Sequence, residues 1–281
     1  MNTILELRQT YHRNLCHSVI YQKQGNKPSI ADVASDLSVS LARQLMANIQ
    51  IPISGHEIPG QTAGKQFEIM TRDFLRDAFS LLNHLRPGEW RFSLEGAISQ
   101  YAQYEHIARL SELIKNSPEL RTSLGDYVVT PDIIVARAPV SDAAINEHGT
   151  IVTAEGQPRL TPLRADIIDK AKPILHASIS CKLTLRSDRS QNARTEGLNL
   201  IRNRKGGTPH IAVVTAEPLP SRIASLALGT GDIDCVYHFA LPELTAAAKS
   251  IGNEAVTDTL NELIQGNRLR DISDLPFDLA I

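Results

Sequence analysis

Hydrophobic and polar side chains alternate strictly between Leu175 and Leu185. One face of this stretch is apolar and consists of Leu175, Ala177, Ile179, Cys181, Leu183 and Leu185. The other face is polar and consists of His176, Ser178, Ser180, Lys182 and Thr184. A repeat of two residues is the period of a β-strand, in which successive side chains point to opposite sides. The pattern therefore predicts a strand with one face in the core and the other available for chemistry.

Spacings of three to four residues between apolar side chains predict helices elsewhere in the chain. The clearest covers Gln66–Leu85, with Glu68 near its start, and follows a turn-rich stretch that contains Pro59 and Gly60. Further helices are predicted over Thr3–Gln22, Ala31–Ala47, Ala97–Asn116, Ser190–Arg204 and a short stretch from Pro220. The first two of these predict N-terminal helical segments.

Runs rich in β-branched residues predict further strands. These runs are Tyr127–Ala138, His210–Glu217 and Asp234–Leu241. Pro131 interrupts the first run and marks an edge or a bulge directly before Asp132. The polar stretch Val140–Lys172 carries few signals and predicts an elaborated loop. Strands that alternate with helices indicate an α/β fold with a mixed central β-sheet flanked by helices.

The length of 281 residues, with 42% hydrophobic and 21% charged content, suits one sizeable domain. We expect a single domain over residues 1–281, divided into an N-terminal helical segment (1–57), a core (58–245) and a C-terminal extension (246–281). No stretch is apolar enough to span a membrane or to act as a signal peptide, which favours the cytoplasm and no membrane partner. Cys16, Cys181 and Cys235 lie far apart, so neither a disulfide framework nor a cysteine zinc site is indicated.

Charge is distributed unevenly along the chain. The net charge of −2 gives no overall attraction for nucleic acid. Between Lys182 and Lys205, however, seven basic residues accompany two acidic ones, so this segment has a net charge of +5. Such a run is typical of a solvated helix surface and is also compatible with contact to nucleic acid.

Asp132 and Lys182 are the first candidates for chemistry. Hydrolysis of a phosphodiester needs carboxylates that hold a cation and a positive or basic group near the attacking water. Mg²⁺ prefers one or two carboxylates together with waters. Asp132 at the strand break and Lys182 on the polar face of the next strand meet this need if the two strands are adjacent. Taken singly, an Asp after Pro is commonly a turn residue, and a strand Lys commonly reaches solvent.

Pro131-Asp132 and Ser180-Cys181-Lys182 resemble the paired motifs of the PD-(D/E)xK nuclease superfamily. Ser180 stands where that pattern has an acid, and Glu196 on the next predicted helix is the candidate replacement. Longer blocks resemble the CCGG-recognising type II restriction endonucleases, in which an acid is relocated in this way. These blocks are IPGQTAGKQFE (58–68), VVTPDIIVARA (128–138), ILHASISCKLTLRSDRSQNARTEGLNLIRNRKG (174–206), PHIAVVTAEPLPSRIASLALGTGDIDCVYHFAL (209–241) and RDISDLPFDLA (270–280).

The resemblance implies a restriction-endonuclease-like core, Mg²⁺ as the cofactor and double-stranded DNA as the substrate. It makes Asp132 and Glu196 metal ligands and places the backbone carbonyl of Cys181 beside the metal. It gives Lys182 the role of orienting or activating the attacking water and of offsetting charge on the phosphate. Glu68 corresponds to a further acidic residue contributed by the early helix.

Arg186, Asp188 and Arg189 stand together at the start of a predicted helix. Arginine pairs bidentately with guanine, and a carboxylate accepts from cytosine N4, so this set suits a CC/GG half-site. The residues alone also allow Asp188 to cap the helix while the arginines are solvated. The resemblance assigns the three residues to reading the inner CCGG.

The resemblance also assigns Arg222 and Asp32 to the outer G:C pair and Gln61 to a minor-groove contact. The implied target is GCCGGC, cut after the first G to leave a 5′-CCGG overhang. The implied assembly is a homo-oligomer, a dimer or preferably a homotetramer of two dimers. The implied host is a bacterium with a cytosine methyltransferase that acts on the same site.

Two other functions are compatible with the same candidate residues. A structure-specific DNA repair nuclease would use the catalytic core without a base-reading set. A non-catalytic DNA-binding regulator would use the basic segment alone, and the presence of Asp132, Lys182 and Glu196 argues against it.

Overall fold

The computed structural model describes residues 3–94, 96–119, 122, 130–167, 171–185, 187–229 and 231–281. The strands are β1 (Gln22–Lys23), β2 (Lys27–Pro28), β3 (Trp90–Leu94), β4 (Ile133–Arg137), β5 (Ile174–Lys182), β6 (His210–Thr215), β7 (Cys235–His238) and β8 (Leu269–Asp271). The α-helices are α1 (Ile4–Ser18), α2 (Asp36–Ile49), α3 (Gly60–Leu81), α4 (Ala108–Asn116), α5 (Asp142–Ile145), α6 (Ser187–Asn203), α7 (Pro220–Ala227), α8 (Leu241–Ile251), α9 (Glu254–Gln265) and α10 (Leu275–Asp278). Two 3-10 helices, Ile98–Gln100 and Ala102–Ile107, precede α4.

Six strands form the central sheet in the order β3-β4-β5-β6-β7-β8. The first three strands in this order pair antiparallel, whereas β5, β6, β7 and β8 run parallel to one another. Helix α3 packs against β3 and β5, and other helices complete the layers around the sheet. The prediction of an α/β fold with a mixed central sheet flanked by helices is confirmed.

Most of the alternating stretch from Leu175 to Leu185 forms β5, but the strand covers Ile174–Lys182 and so ends three residues earlier than predicted. Its apolar face is buried, as predicted. Its polar face is not an open surface, because Ser178 and Ser180 are buried as well. β5 is a central strand that is hydrogen-bonded to β4 and β6, and side chains on both of its faces are covered by other parts of the protein. The end of the strand at Lys182 is partly exposed, and it is there that chemistry can take place.

The N-terminal part of the chain contains two helices, as predicted, but their bounds differ from the predicted ones. α2 begins at Asp36 rather than at Ala31, because Ser35 caps it through its side chain. The residues before α2 form a turn in which the Ala34 N–H donates to the Asp32 carboxylate at 3.1 Å. The candidate reading residue Asp32 is therefore held in a turn and not in a helix.

Helix α3 begins earlier than predicted, at Gly60 rather than at Gln66. Pro59 is its N-cap residue, and a proline is tolerated at the start of a helix because no intrahelical donor is lost there. Glu68 consequently lies in the third turn of α3 and not near its start. The side chains of Phe67, Phe74, Leu75 and Ala78 form the buried stripe of this helix.

The predicted helix over Ala97–Asn116 is only partly correct. α4 covers its last part, whereas two 3-10 helices cover residues before it. Gln103 lies in the second of these and hydrogen-bonds both backbone groups of Leu175, at 2.7 and 2.9 Å. This contact ties the segment to β5 in place of a continuous helix.

Neither edge strand of the sheet, β3 or β8, is predicted by the sequence pattern. Four of the five residues of β3 are partly buried and one, Arg91, is exposed; all five pair with β4. β4 is shorter than the predicted run, and residues 127–129 of that run lie outside the described residues. The division of the chain into three segments stays a prediction.

The stretch predicted as an elaborated loop contains the short helix α5 and a buried arginine. The Arg164 guanidinium donates to the Asp142 carboxylate at 2.8 and 2.6 Å. It also donates to the carbonyl oxygens of Thr153 and Pro158. This loop is therefore held by a specific internal network.

Arg8 links the N-terminal helix to the C-terminal part of the chain through a buried ion pair. Its guanidinium donates to Glu243 at 2.8 and 2.6 Å and to Asp271 at 2.9 and 2.8 Å. Burial alone would raise the pKa of both carboxyl groups, but the Arg8 guanidinium holds the pKa of each below its usual range. One hydrophobic cluster extends from Tyr11 in α1 to Leu279 near α10. In the part of the chain that the structure describes, no helix is long and apolar enough to cross a membrane.

Arg8→Ala should destabilise the fold strongly. The substitution leaves the buried Asp271 carboxylate and the partly buried Glu243 carboxylate without their cationic partner, which costs about 3–5 kcal/mol. Urea unfolding should show a free energy of unfolding that is lower by this amount. The matched control is Arg91→Ala, since Arg91 and Glu89 form an exposed pair at 2.9 Å and loss of such a pair changes stability by about 1 kcal/mol or less. Equal effects of the two substitutions would contradict the importance of the buried pair.

Acidification should destabilise the protein at pH values well above those at which carboxylates titrate. Burial lowers the pKa of His176 and of His238 to about 4, whereas an unfolded histidine titrates near about 6.5. Between these values the unfolded state binds more protons, so stability falls as the pH falls. We expect a loss on the order of 1–2 kcal/mol per histidine between about pH 7.5 and pH 5 in urea unfolding. His176→Gln should flatten this profile, and an unaltered slope would count against the assignment.

Candidate active site

Asp132 lies directly before β4, at the edge of the sheet where β5 ends. The two strands pair antiparallel with Ile133 opposite Ile179. The residue before Ile133 is therefore next to the residue after Ile179, which is Ser180. The structure thus brings Asp132 and Lys182 together at one sheet edge, as expected for adjacent strands.

Three consecutive residues of β5 donate hydrogen bonds to one oxygen of Asp132, its Oδ2 atom. The Cys181 N–H lies 2.7 Å from this oxygen, the Lys182 Nζ 2.9 Å and the Ser180 Oγ 3.3 Å. Charged hydrogen bonds of this kind are short and directional. The carboxylate is consequently held in one orientation, with an ammonium group directly beside it.

Glu68 from α3 and Glu196 from α6 line the same cleft as Asp132 and Lys182, and the cleft has a volume of about 530 Å³. The lining also contains polar and basic side chains, among them Tyr21, Lys23, Gln61, Lys65, Thr184 and Asn192. The Lys65 Nζ lies 3.3 Å from the Glu68 Oε2. All four predicted catalytic side chains, and the predicted minor-groove residue Gln61, thus belong to one cleft.

Burial and mutual repulsion raise the pKa of two carboxyl groups in this cleft. Burial is the largest cause for Glu196, and the charge of Asp132 adds to it, while Lys182 and a hydrogen bond from Ser180 act in the opposite direction. The same two causes raise the pKa of Glu68. Burial alone would lower the pKa of Lys182, but the adjacent Asp132 carboxylate raises that pKa above its usual value. The lysine is therefore an ammonium ion at neutral pH.

The donor set of the cleft fits a hard divalent cation. Carboxylates raise one another's pKa when their charges are not compensated, and a bound cation removes that repulsion. Within the described residues, no three His, Cys, Asp or Glu side chains already meet as a complete protein cage for a metal. Mg²⁺ is compatible with such an open set, because it binds through one or two carboxylates and keeps several waters.

The basic set predicted to read DNA lies partly outside the described residues. α6 begins at Ser187, which puts Asp188 and Arg189 in its first turn. Arg186 lies outside the described residues, and the side chains of residues 187–190 are not described either. Glu196 follows on the same helix, about two turns beyond Arg189.

Arg222 and Asp32, which are 190 positions apart in the chain, lie in direct contact. The Arg222 Nη2 donates to the Asp32 Oδ2 in a short ion pair. Arg222 is in the first turn of α7, and Asp32 is in the turn before α2. Their side chains are 32% and 30% exposed, so the pair is accessible to a ligand. Contact of either residue with a base stays a prediction.

Glu217 is a buried acid that the sequence analysis does not identify. Its carboxylate accepts hydrogen bonds from the backbone N–H of Leu185 at 2.9 Å and of Leu219 at 3.2 Å. The Arg222 Nη1 lies 3.8 Å from the same carboxylate. The available sequence signal is an acidic residue that directly follows an apolar strand, in AVVTAEPLP.

Two comparisons with known proteins give the same family. The family described as NgoMIV restriction enzyme matches residues 11–281. The chain is also 45% identical over 281 residues to the type II restriction enzyme NgoMIV of Neisseria gonorrhoeae. The matched region covers 98% of this chain and 97% of that relative. The chain belongs to the NgoMIV restriction enzyme family.

Membership of the NgoMIV family confirms the predicted resemblance to type II restriction endonucleases. The chain is therefore a site-specific deoxyribonuclease of a restriction system. The alternatives of a repair nuclease and of a non-catalytic regulator lose their basis, because the match to a restriction enzyme extends over nearly the whole chain.

Ser180→Ala should slow DNA cleavage by this NgoMIV relative. The Ser180 hydroxyl lies beside two carboxylates, those of Asp132 and Glu196, and a hydrogen bond to a charged group contributes about 1.5–3 kcal/mol. We expect single-turnover cleavage of plasmid DNA to slow by roughly tenfold or more. Ser178→Ala is the matched control, because Ser178 is buried on the same strand but lies opposite Ile134, two residues further from the catalytic end of β5. Equal rates for the two variants would argue against a positioning role for Ser180.

Proposed function

We propose that this enzyme hydrolyses double-stranded DNA at the palindrome GCCGGC, with Mg²⁺ as cofactor. The proposed cut follows the first G and leaves a 5′-CCGG overhang. One observation supports the chemistry above all others: the Asp132 carboxylate and the Lys182 ammonium are 2.9 Å apart in a cleft that Glu68 and Glu196 also line. Metal-dependent phosphodiester hydrolysis uses carboxylates that hold the metal ion and a positively charged group beside the phosphate. The cleft offers both, with Lys182 as the positively charged group.

Asp132 and Glu196 are the proposed protein ligands of Mg²⁺, together with the backbone carbonyl of Cys181. Glu68 supplies a further carboxylate on the α3 side of the cleft. When bound, the metal ion withdraws charge from the phosphate and favours ionisation of a water molecule. The Cys181 N–H contributes by holding the Asp132 carboxylate at 2.7 Å.

Lys182 acts on the phosphate and on the attacking water in this proposal. Its ammonium group offsets the negative charge that accumulates on the phosphate oxygens during hydrolysis. Three donors on the ammonium allow it to hold Asp132 and to orient a water molecule at the same time. Its fixed position at the end of β5 keeps this charge aligned with the carboxylates.

The start of α6 is the proposed reader of the CCGG core. Arg186 and Arg189 supply the planar donors that pair with guanine O6 and N7, and Asp188 supplies an acceptor for cytosine N4. α6 carries both Arg189 and Glu196, about two turns apart, so the proposed base contact and the proposed metal ligand lie on one helix. Correct bases would thus affect the position of a proposed metal ligand directly.

Arg222 and Asp32 are the proposed readers of the outer G:C pair. An arginine and a carboxylate held side by side match a guanine and its paired cytosine. The ion pair between them supports a shared task, since each is positioned by the other. Gln61 lies at the catalytic cleft and is the proposed minor-groove contact.

The proposed assembly is a homotetramer of two dimers in the bacterial cytoplasm. A palindromic target is read by two subunits that are related by a twofold axis. Each dimer would hold one DNA site, and two dimers would join back to back. A methyltransferase that modifies cytosine in the same sequence would protect the host's own DNA.

A plasmid that carries two GCCGGC sites tests the proposed function. Incubation with the enzyme and Mg²⁺ should produce discrete fragments, and sequencing should place each end after the first G. A matched plasmid with GCATGC in the same positions should stay intact. EDTA should abolish cleavage, and excess Mg²⁺ should restore it, because the acids of the cleft need a cation to act.

Asp132→Asn and Lys182→Met should each slow cleavage at least about a hundredfold, as expected when a group that stabilises developing charge is removed. DNA binding should remain measurable in a gel-shift assay without Mg²⁺. Lys249→Met is the matched control, since Lys249 is exposed on α8 and its loss should not alter the rate. Cleavage at another sequence would reject the target, and wild-type rates in the Lys182 variant would reject its catalytic role.

A further inference from the structure

Two side chains outside the catalytic cleft hold α7 in place. Arg194 connects α7 to α6, and Glu217 connects α7 to Leu185, which lies just before α6. α7 carries Arg222, and the first turn of α6 carries Asp188 and Arg189. The relative placement of these two helices therefore decides how the outer and inner readers are arranged. Each of the two connecting side chains holds a different end of α7.

Glu217 connects the beginning of α7 to the end of β5. It follows β6 and is fully buried, with 0% exposure. Its Oε2 accepts a hydrogen bond from the Leu185 N–H at 2.9 Å, and its Oε1 accepts one from the Leu219 N–H at 3.2 Å. Leu185 comes directly before Arg186, and Leu219 is the N-cap residue of α7. One buried carboxylate thus joins the segment that precedes the inner reader to the helix that carries the outer reader.

Arg194 makes the corresponding connection at the other end of α7. Arg194 lies on α6, and its guanidinium donates to the carbonyl oxygens of Ser225 at 3.2 Å, of Leu226 at 3.0 Å and of Leu228. It also pairs with Asp232 at 3.1 Å. Carbonyl groups at the end of a helix lack intrahelical donors and carry partial negative charge, so they bind a cation favourably.

The packing of α6 leaves little freedom around this connection. At Gly197 on α6, an added Cβ would lie 2.3 Å from the backbone oxygen of Asp232. From the side of the sheet, Arg268 donates to the carbonyl oxygen of Ala227 at 2.7 Å. The end of α7 is therefore attached both to α6, through Arg194, and to the residue that leads into β8, through Arg268.

We propose that Glu217 and Arg194 form a two-point clamp that fixes Arg222 relative to the start of α6, and that this clamp sets the discrimination at the outer base pair. Both are positioning residues, since neither lines the catalytic cleft. The inference rests on the proposed function, in which Arg222 reads the outer pair. Bidentate contact between arginine and guanine depends on angle as well as distance, so a small rotation of α7 weakens it.

The geometry around Arg222 explains why this clamp affects selectivity. Its Nη2 bonds Asp32, and its Nη1 lies 3.8 Å from the buried Glu217 carboxylate. The guanidinium is thus oriented from both sides before DNA arrives. Preorganisation of this kind makes a wrong base costly, because the side chain cannot adjust to it.

Glu217→Gln and Arg194→Gln test the clamp. A glutamine has one acceptor oxygen, so Glu217→Gln retains at most one of the two backbone hydrogen bonds. Initial cleavage rates are measured on matched duplexes that contain GCCGGC or ACCGGT, which differ only in the outer pair. We expect the ratio of the two rates to fall at least about tenfold in each variant, within the range that one bidentate base contact contributes. Melting temperatures show that each variant is folded.

Two matched controls separate positioning from general stability. Arg164→Gln removes bonds of the same types as Arg194→Gln, because Arg164 binds Asp142 and two carbonyl oxygens. Asp271→Asn alters another buried carboxylate, one that accepts from the Leu241 N–H at 3.0 Å. Both controls should lower the melting temperature and leave the ratio within about twofold of the wild-type value, as expected for sites that do not share partners with the readers.

An unchanged ratio in folded Glu217→Gln and Arg194→Gln would overturn the clamp. If Glu217→Gln does not fold, Arg194→Gln decides alone, because the Arg194 side chain is 24% exposed and is the less buried of the two. Failure of the proposed function is recognised separately, in the wild-type enzyme. If the wild type cuts another sequence, the ratio is measured between that sequence and its outer-pair variant, and the clamp is judged on the same criterion.

Discussion

The catalytic end of this molecule depends on one carboxylate oxygen, Asp132 Oδ2. Three donors from consecutive residues of β5 meet there, and they can do so because β4 and β5 are antiparallel and end at the same edge. A single donor would leave the carboxylate free to rotate, whereas three define both its position and that of Lys182. Glu68 and Glu196 can then share one cleft with this pair, provided that α3 and α6 pack correctly against the sheet.

Local patterns were sufficient to predict the central part of the fold. The alternation around Ile179 predicts β5, and the proline before Asp132 predicts a break where β4 begins. Local patterns do not predict a strand or helix that forms only because another part of the chain pairs with it. β3 is a strand because β4 pairs with it along its length, and its side chains carry no clear alternation of burial. The start of α3 was missed because Pro59 and Gly60 are compatible with both a turn and the opening of a helix.

The candidate site was predictable to a similar extent. Residue type and strand position are enough to predict Asp132 and Lys182 as site residues. Glu196 is predicted only from the family resemblance, because the sequence of a polar helix does not show whether a glutamate faces the sheet or the solvent. The contact of Asp32 with Arg222 joins positions that are 190 residues apart, which no periodicity can indicate. Glu217 was missed for the same reason, since its backbone partners are brought together only when β5 and α7 pack.

The formation of the Arg8 ion pair depends on the order in which the chain is synthesised. Its partners Glu243 and Asp271 follow it by 235 and 263 positions, so neither exists when α1 leaves the ribosome. Contacts of such long range carry a large loop-closure cost, which slows folding. Helix α1 therefore cannot complete the ion pairs that attach it to the C-terminal part of the chain before residue 271 has been made.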